Sequence, residues 1–90
     1  MKRKKESVIR KTGALICEVC GFDFESFYGE IGKGFAECHH LIPIAELQSE
    51  QKVNLHDLAI VCSNCHRMLH NTKQMMSIEE LRHIINKRNN

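Results

Sequence analysis

Cys62-Ser63-Asn64-Cys65-His66-Arg67-Met68-Leu69-His70 decides how this chain is read. Two cysteines with two residues between them turn both thiolates toward a single ion, and histidines at i and i+4 share one face of a helix. One short stretch therefore offers ligands to two different sites. The sulfur pair is half of a tetrahedral shell. Cys17-Glu18-Val19-Cys20-Gly21 supplies the other half with the same spacing, and its glycine permits the positive φ that such turns often need. Cys17, Cys20, Cys62 and Cys65 are thus expected to hold one structural Zn2+. The competing reading is a disulfide framework in a secreted domain. The chain opens Met1-Lys2-Arg3-Lys4-Lys5 with no apolar segment, which points instead to a reducing, cytoplasmic setting.

At this length a metal is close to a requirement. Ninety residues make one domain, 1–90, and a composition with no Trp, four Phe and one Tyr builds a thin core. A structural zinc site contributes about 10–16 kcal/mol of apparent binding free energy, which rivals the net stability of a small domain. The metal-free chain is expected to be largely unfolded.

Working outward, residues 4–14 read as a short helix on the apolar anchors Val8 and Ile9, ended by Gly13. Lys2, Arg3, Lys4, Lys5, Arg10 and Lys11 make residues 1–16 a basic segment ahead of a motif-bearing core at 17–70, and Arg82, Lys87 and Arg88 crowd the far end. Net charge is only +2, so the distribution matters more than the total. Basic ends flanking a metal centre suit a polyanion lying across the domain, although a basic terminus is also a common solvated tail. No apolar run approaches the ~18 residues of a membrane span.

Residues 22–35 are too rich in glycine for a long helix, and Phe22, Phe24, Phe27 and Phe35 read as core side chains rather than base-stacking ones. A short strand from Ala36 to Cys38 runs into His39-His40, and Pro43 stops any continuing ladder or helix. Ala45 to Asp57 holds a possible helical turn and then polar loop. Leu58-Ala59-Ile60-Val61 is a compact apolar strand, and a helix with a serine or asparagine cap follows from Ser63. A last helix, 77–88, begins with the capping box Ser77-Ile78-Glu79-Glu80 and carries Ile78, Leu81, Ile84 and Ile85 as its buried stripe.

Strand, loop, strand and histidine-bearing helix is an order in which a hairpin folds back against the helix. His39 or His40 would then meet His66 and His70, and three imidazoles leave coordination positions open for water and substrate. Adjacent residues of an extended backbone point in different directions, so one ring of the pair can bind the ion while its neighbour stays metal-free. A free imidazole with a pKa near ~6.5 is a competent general base at neutral pH. Glu37 is placed to accept from a ligand imidazole's other nitrogen. Cys38, the odd cysteine, reads as a small buried hydrophobe, and His56 and His83 as surface residues.

Glu37-Cys38-His39-His40-Leu41-Ile42-Pro43, then Asp57-Leu58, then Cys62 to His70 resembles the HNH endonuclease motif. Cys17-Glu18-Val19-Cys20-Gly21-Phe22-Asp23-Phe24 and Tyr28-Gly29 are similar to the zinc-ribbon branch of that family, which includes modification-dependent restriction nucleases. The resemblance, over roughly residues 17 to 70, implies an α+β chain with the ββα-metal fold. It implies that His40 is the general base, that His39 and His66 are ligands of a catalytic divalent cation, and that His70 matches an extra ligand of the histidine-rich colicin-type nucleases. Mg2+, Mn2+, Ni2+, Co2+ or Zn2+ could fill that site. Asp57 stands where the family has the motif's Asn, which braces the loop carrying the base. An ionised aspartate accepts hydrogen bonds but donates none.

The reading that accounts for both metal stations and the basic ends is a metal-dependent DNA endonuclease hydrolysing phosphodiester bonds. Lys4, Lys5, Arg10, Lys11 and Arg67 are its candidate DNA contacts, and little surface remains to read bases, so weak sequence preference is expected. The alternative is a non-catalytic zinc-ribbon module that grips nucleic acid or protein. A third reading keeps the chemistry inside a larger phage or restriction assembly. A homodimer would be the simplest route to double-strand breaks.

Overall fold

A computed structural model describes residues 2–41 and 55–88, so Pro43 and the turn expected after Ala45 lie outside them. Helix α1, Lys2–Thr12, begins two residues before the expected 4–14 and ends where glycine allows it. Gly13 takes φ 82° and its N–H reaches the Ile9 carbonyl at 2.7 Å, a left-handed exit that a side chain would resist. The helix buries none of its own residues fully. Val8 leans on the small cluster of Leu15, Ala36, Cys38 and Ile60.

The first knuckle follows. Cys17 N–H donates to the Phe22 carbonyl and Gly21 N–H to the Cys17 carbonyl, both at 2.9 Å, and Gly21 sits at φ 83°. Asp23 then caps α2, Phe24–Tyr28, through its Oδ1, which accepts from Glu25 N–H at 2.9 Å and Ser26 N–H at 3.4 Å. A 3-10 turn, Gly29–Gly32, brings the chain back over that helix. A Cβ on Gly32 would stand 2.6 Å from the Phe24 carbonyl carbon, so only glycine permits the approach.

Strand β1, Glu37–His40, takes in the histidine pair itself and pairs antiparallel with β2, Leu58–Val61. The register sets His39 opposite Ala59 and Cys38 opposite Ile60. Alternation therefore gives the sheet two faces. Glu37, His39, Ala59 and Val61 share the face that meets α3, Ser63–Leu69; Cys38 and Ile60 look toward α1. Both knuckles, Ala59, Val61, Leu69 and the helix α4, Ile78–Arg88, complete the larger core cluster. This is the small mixed ββα-metal architecture with its four-cysteine knuckle pair.

Three local expectations are corrected, for the aromatics, the cap of α3 and Ile84 of the buried stripe. Phe27 and Phe35 are 69% and 45% exposed: Phe27 lies on a helix of five residues that cannot bury aromatics on all sides, and Phe35 follows the 3-10 turn, outside both core clusters. The aromatics instead lean edge-on against one another, Phe22 on Phe24 at 4.9 Å and Phe24 on Phe35 at 4.7 Å between ring centres. Nor does a serine or asparagine cap α3. Cys62 does so, its sulfur accepting from Cys65 N–H at 3.4 Å, which leaves the Ser63 hydroxyl for another partner. The capping box of α4 forms reciprocally, Glu80 N–H to Ser77 Oγ at 3.1 Å and Ser77 N–H to Glu80 Oε1 at 3.0 Å, while Ile84 at its solvent edge stays 43% exposed.

Candidate metal centres and active site

The two knuckles bring Cys17, Cys20, Cys62 and Cys65 together with all four sulfurs within 4.8 Å of one another. Cys20 Sγ and Cys62 Sγ, 42 residues apart in sequence, approach to 3.7 Å. Backbone N–H groups turn inward on the sulfurs, Val19 to Cys17 Sγ at 3.4 Å and Cys20 to Cys17 Sγ at 3.5 Å. Burial resists ionisation of Cys17, but the backbone bonds from Cys20, Cys62 and Val19 outweigh it and hold the thiol below its ordinary value. Cys65 goes the other way. Burial first, then Cys62, Cys17 and Cys20 around it, push its thiol far up. Four sulfurs that would repel one another as thiolates, in a cage buried at Cys17, Cys62 and Cys65 and open at Cys20, fit a soft cation at its centre.

The second cluster is built by β1 and α3. His39, His66 and His70 each present a ring nitrogen within 4.8 Å of the others. Their ring centres form a near-equal triangle, 5.4 Å from His39 to His66, 4.9 Å from His39 to His70 and 5.2 Å from His66 to His70. His70 lies just past the last turn of α3 as its C-cap, and its N–H reaches the Arg67 and Met68 carbonyls. His39 is 1% exposed, and its Nδ1 has no hydrogen-bond partner among the described residues. A buried polar atom left bare is costly, and a cation among the three rings would meet that need. Burial, followed by the charges of His70, His66 and His40, lowers the His39 pKa to about 4. It is therefore neutral at pH 7, the form that ligates metals.

Glu37 orients this cluster from the same sheet face. Its Oε1 lies 2.6 Å from His66 Nδ1 and its Oε2 accepts from Ser63 Oγ at 2.8 Å. A carboxylate can only accept, so the proton sits on His66 Nδ1 and the Nε2 lone pair is left for a cation. The His66 bond, with help from Ser63, holds the Glu37 carboxyl below the usual carboxylate range. Replacing Glu37 by alanine is expected to weaken divalent-cation binding at the imidazoles about 10–100-fold, read by cobalt titration of the zinc-loaded protein. Unchanged cobalt affinity would remove Glu37 from the site.

His40 does not join the triangle. It is the last residue of β1, half-buried, in register with Leu58, and strand alternation turns it away from the face that carries His39. The chain leaves it through Leu41, whose N–H donates to the Asp57 carbonyl at 2.8 Å. This backbone bond closes the far end of the hairpin beside His40, and Asp57 ends a 3-10 turn, Leu55–Asp57, that leads into β2. Of the expected DNA contacts, Arg10, Lys11 and Arg67 are exposed, and Lys4 and Lys5 are half-buried on α1. Lys5 Nζ stands 5.8 Å from the centre of the Phe35 ring. Buried Cys38 belongs to the cluster under α1 and to neither ligand group among the described residues, and burial raises its thiol. His56 and His83 are exposed.

Sequence gives Ser63 and Glu18 no role beyond local structure, and Arg82 none beyond the basic far end. Ser63 holds Glu37, Glu18 binds β2, and Arg82 of α4 binds the Glu18 carbonyl. Only the partner across space reveals each of them, since Ser63 reads as a helix cap and Glu18 as a knuckle spacer.

The family description "HNH endonuclease" matches residues 17–72, the span that holds both knuckles, the histidine pair and the two histidines of the α3 segment. The chain belongs to the HNH endonuclease family. Over 69 residues this HNH chain is 33% identical to the type IV methyl-directed restriction enzyme EcoKMcrA of Escherichia coli (strain K12). The alignment takes in 77% of the HNH chain and 24% of that relative, so the chain spans about a quarter of the relative's length. No helix among the described residues is long and apolar enough to cross a membrane.

Proposed function

We propose that this HNH chain is a metal-dependent DNA endonuclease domain, with one structural zinc in the sulfur cage and one catalytic divalent cation at His39, His66 and His70. The observation that carries the reading is the imidazole triangle, closed from two elements, with a further histidine next along the strand. When bound, the cation supplies Lewis-acid stabilisation of charge on the phosphoryl oxygens and the departing 3′ oxygen. His40 accepts the proton of the water that attacks phosphorus, and strand alternation keeps its ring off the cation so that it stays a base. Glu37 keeps His66 in the ligating tautomer, and the Leu41–Asp57 bond limits how far the backbone beside His40 can drift.

Supercoiled plasmid tests this reading. Nicking should require an added divalent cation beyond the zinc already bound, and DNA binding without any cation-dependent cutting would leave a zinc-ribbon binding module in its place. The side chains of α1 and Arg67 favour phosphate contact over base reading, so cleavage is expected to show weak sequence preference and steep salt dependence. If five phosphates are met by Lys4, Lys5, Arg10, Lys11 and Arg67, log affinity should fall with log salt at a slope of about −4 to −5. A sharp cleavage consensus on genomic DNA, or a slope near zero, would contradict this part. The methyl-directed action in the relative's name belongs to a protein roughly three times as long, and modified-DNA targeting is for this chain a question that cleavage of methylated and unmethylated plasmid would answer.

A further inference from the structure

Strand β2 has a second edge. On one side it pairs with β1; on the other, where an open edge would leave its amides to water, it meets the first knuckle. Glu18, which sits between the ligands Cys17 and Cys20, donates its N–H to the Ile60 carbonyl at 2.9 Å. The Ile60 N–H returns to Glu18 Oε2 at 2.7 Å. One residue of the sulfur cage thus satisfies both backbone groups of a strand residue that is 1% exposed. Across the ladder Ile60 pairs with Cys38, and its neighbour Ala59 pairs with His39. From the far side Arg82 Nη2 donates to the Glu18 carbonyl at 2.5 Å, tying the same peptide to α4. A cleft of about 810 Å³ is lined by Glu18, Arg82 and His39 together, so the tie and the buried ligand border one space.

We propose that Glu18 is a positioning residue that couples the two metal stations, so that zinc in the sulfur cage raises the affinity of the imidazole triangle for its cation. The path is short and covalent or hydrogen-bonded throughout: the knuckle closes on zinc, Glu18 is held between two of its ligands, Ile60 is clamped in place, and the β1–β2 register sets His39 against α3. His39 tolerates little displacement, since its two partner rings come from a different element and the three nitrogens share one small volume. Coupling of this kind is reciprocal, so a cation at the triangle also tightens zinc in the cage. The inference rests on the two-station reading above and adds to it a residue that touches neither ion.

The test is cobalt titration of the zinc-loaded full chain, following the visible absorption of cobalt at a nitrogen-rich site and measuring zinc content in the same samples. Glu18→Ala is expected to weaken cobalt binding about 10-fold with zinc retained, within the range usual for coupled sites. Glu18→Gln keeps a carbonyl to accept from Ile60 N–H and should restore most of the affinity, which a loss through charge alone would not allow. Arg82→Ala, which leaves the Glu18 side chain intact, should give a smaller loss in the same direction. Wild-type cobalt affinity in Glu18→Ala overturns the proposal, as does a Glu18→Gln protein as weak as the alanine form. Should Glu18→Ala shed its zinc, Arg82→Ala decides: unchanged cobalt affinity there also overturns it. Absence of cobalt binding in the wild-type protein would be a different failure, that of the imidazole site itself.

Discussion

Cys65→Ser is expected to abolish the folded state. Cys65 is 5% exposed, lies in the first turn of α3, and belongs to the main core cluster as well as to the sulfur cage. Serine would put a poor zinc ligand and a buried hydroxyl at that point, and the stabilisation at stake is most of the ~10–16 kcal/mol a structural zinc supplies. Few small domains have that much to lose. Circular dichroism should show no cooperative melt, and elemental analysis should find no stoichiometric zinc. A strong chelator acting on the wild-type chain should have the same effect, reversed by adding zinc back. A Cys65→Ser protein that melts cooperatively within a few degrees of wild type would refute the claim that sulfur-bound metal holds this fold together.

His40→Ala is expected to leave the molecule folded and remove its chemistry. General base catalysis contributes about 10²–10⁴-fold, and plasmid cleavage should fall by that factor. His40 ends a strand, is half-buried, and stands outside the triangle, so zinc content, melting temperature and cobalt affinity should all stay close to wild type. His39→Ala supplies the contrast. It should lose cation binding together with cleavage, because His39 is one of the three converging rings. Equal cobalt loss in both variants would mean that both histidines ligate and that the base lies elsewhere; full cleavage by His40→Ala would end its assignment outright.

The four-cysteine cage was legible from spacing because the constraint is local. Two residues between cysteines make a turn whose thiolates converge whatever surrounds it, and a glycine after Cys20 completes that turn. The apolar run Leu58–Val61 and the capping box at Ser77 were legible for the same reason, each being decided within a few residues. The aromatics misled. Phe27 and Phe35 are as apolar as any core residue, and their exposure follows from where they fall, Phe27 on the short α2 and Phe35 past the 3-10 turn, which composition does not register.

Sequence by itself determined which atoms are available for binding: four sulfurs in two knuckles, a histidine pair, and two more histidines four residues apart. It also determined, through their order along the chain, that a hairpin and a helix must face each other. Spacing left open which of the paired histidines turns inward and only the family resemblance named His39; the tertiary structure decides it, because it depends on strand register, and a shift of one residue exchanges the two faces. It alone chose His66 as the ring that Glu37 holds, and placed Ser63 on Glu37 and Glu18 between the cage and β2. Those bonds join residues 26 to 42 positions apart, and no local spacing rule reaches across such a distance.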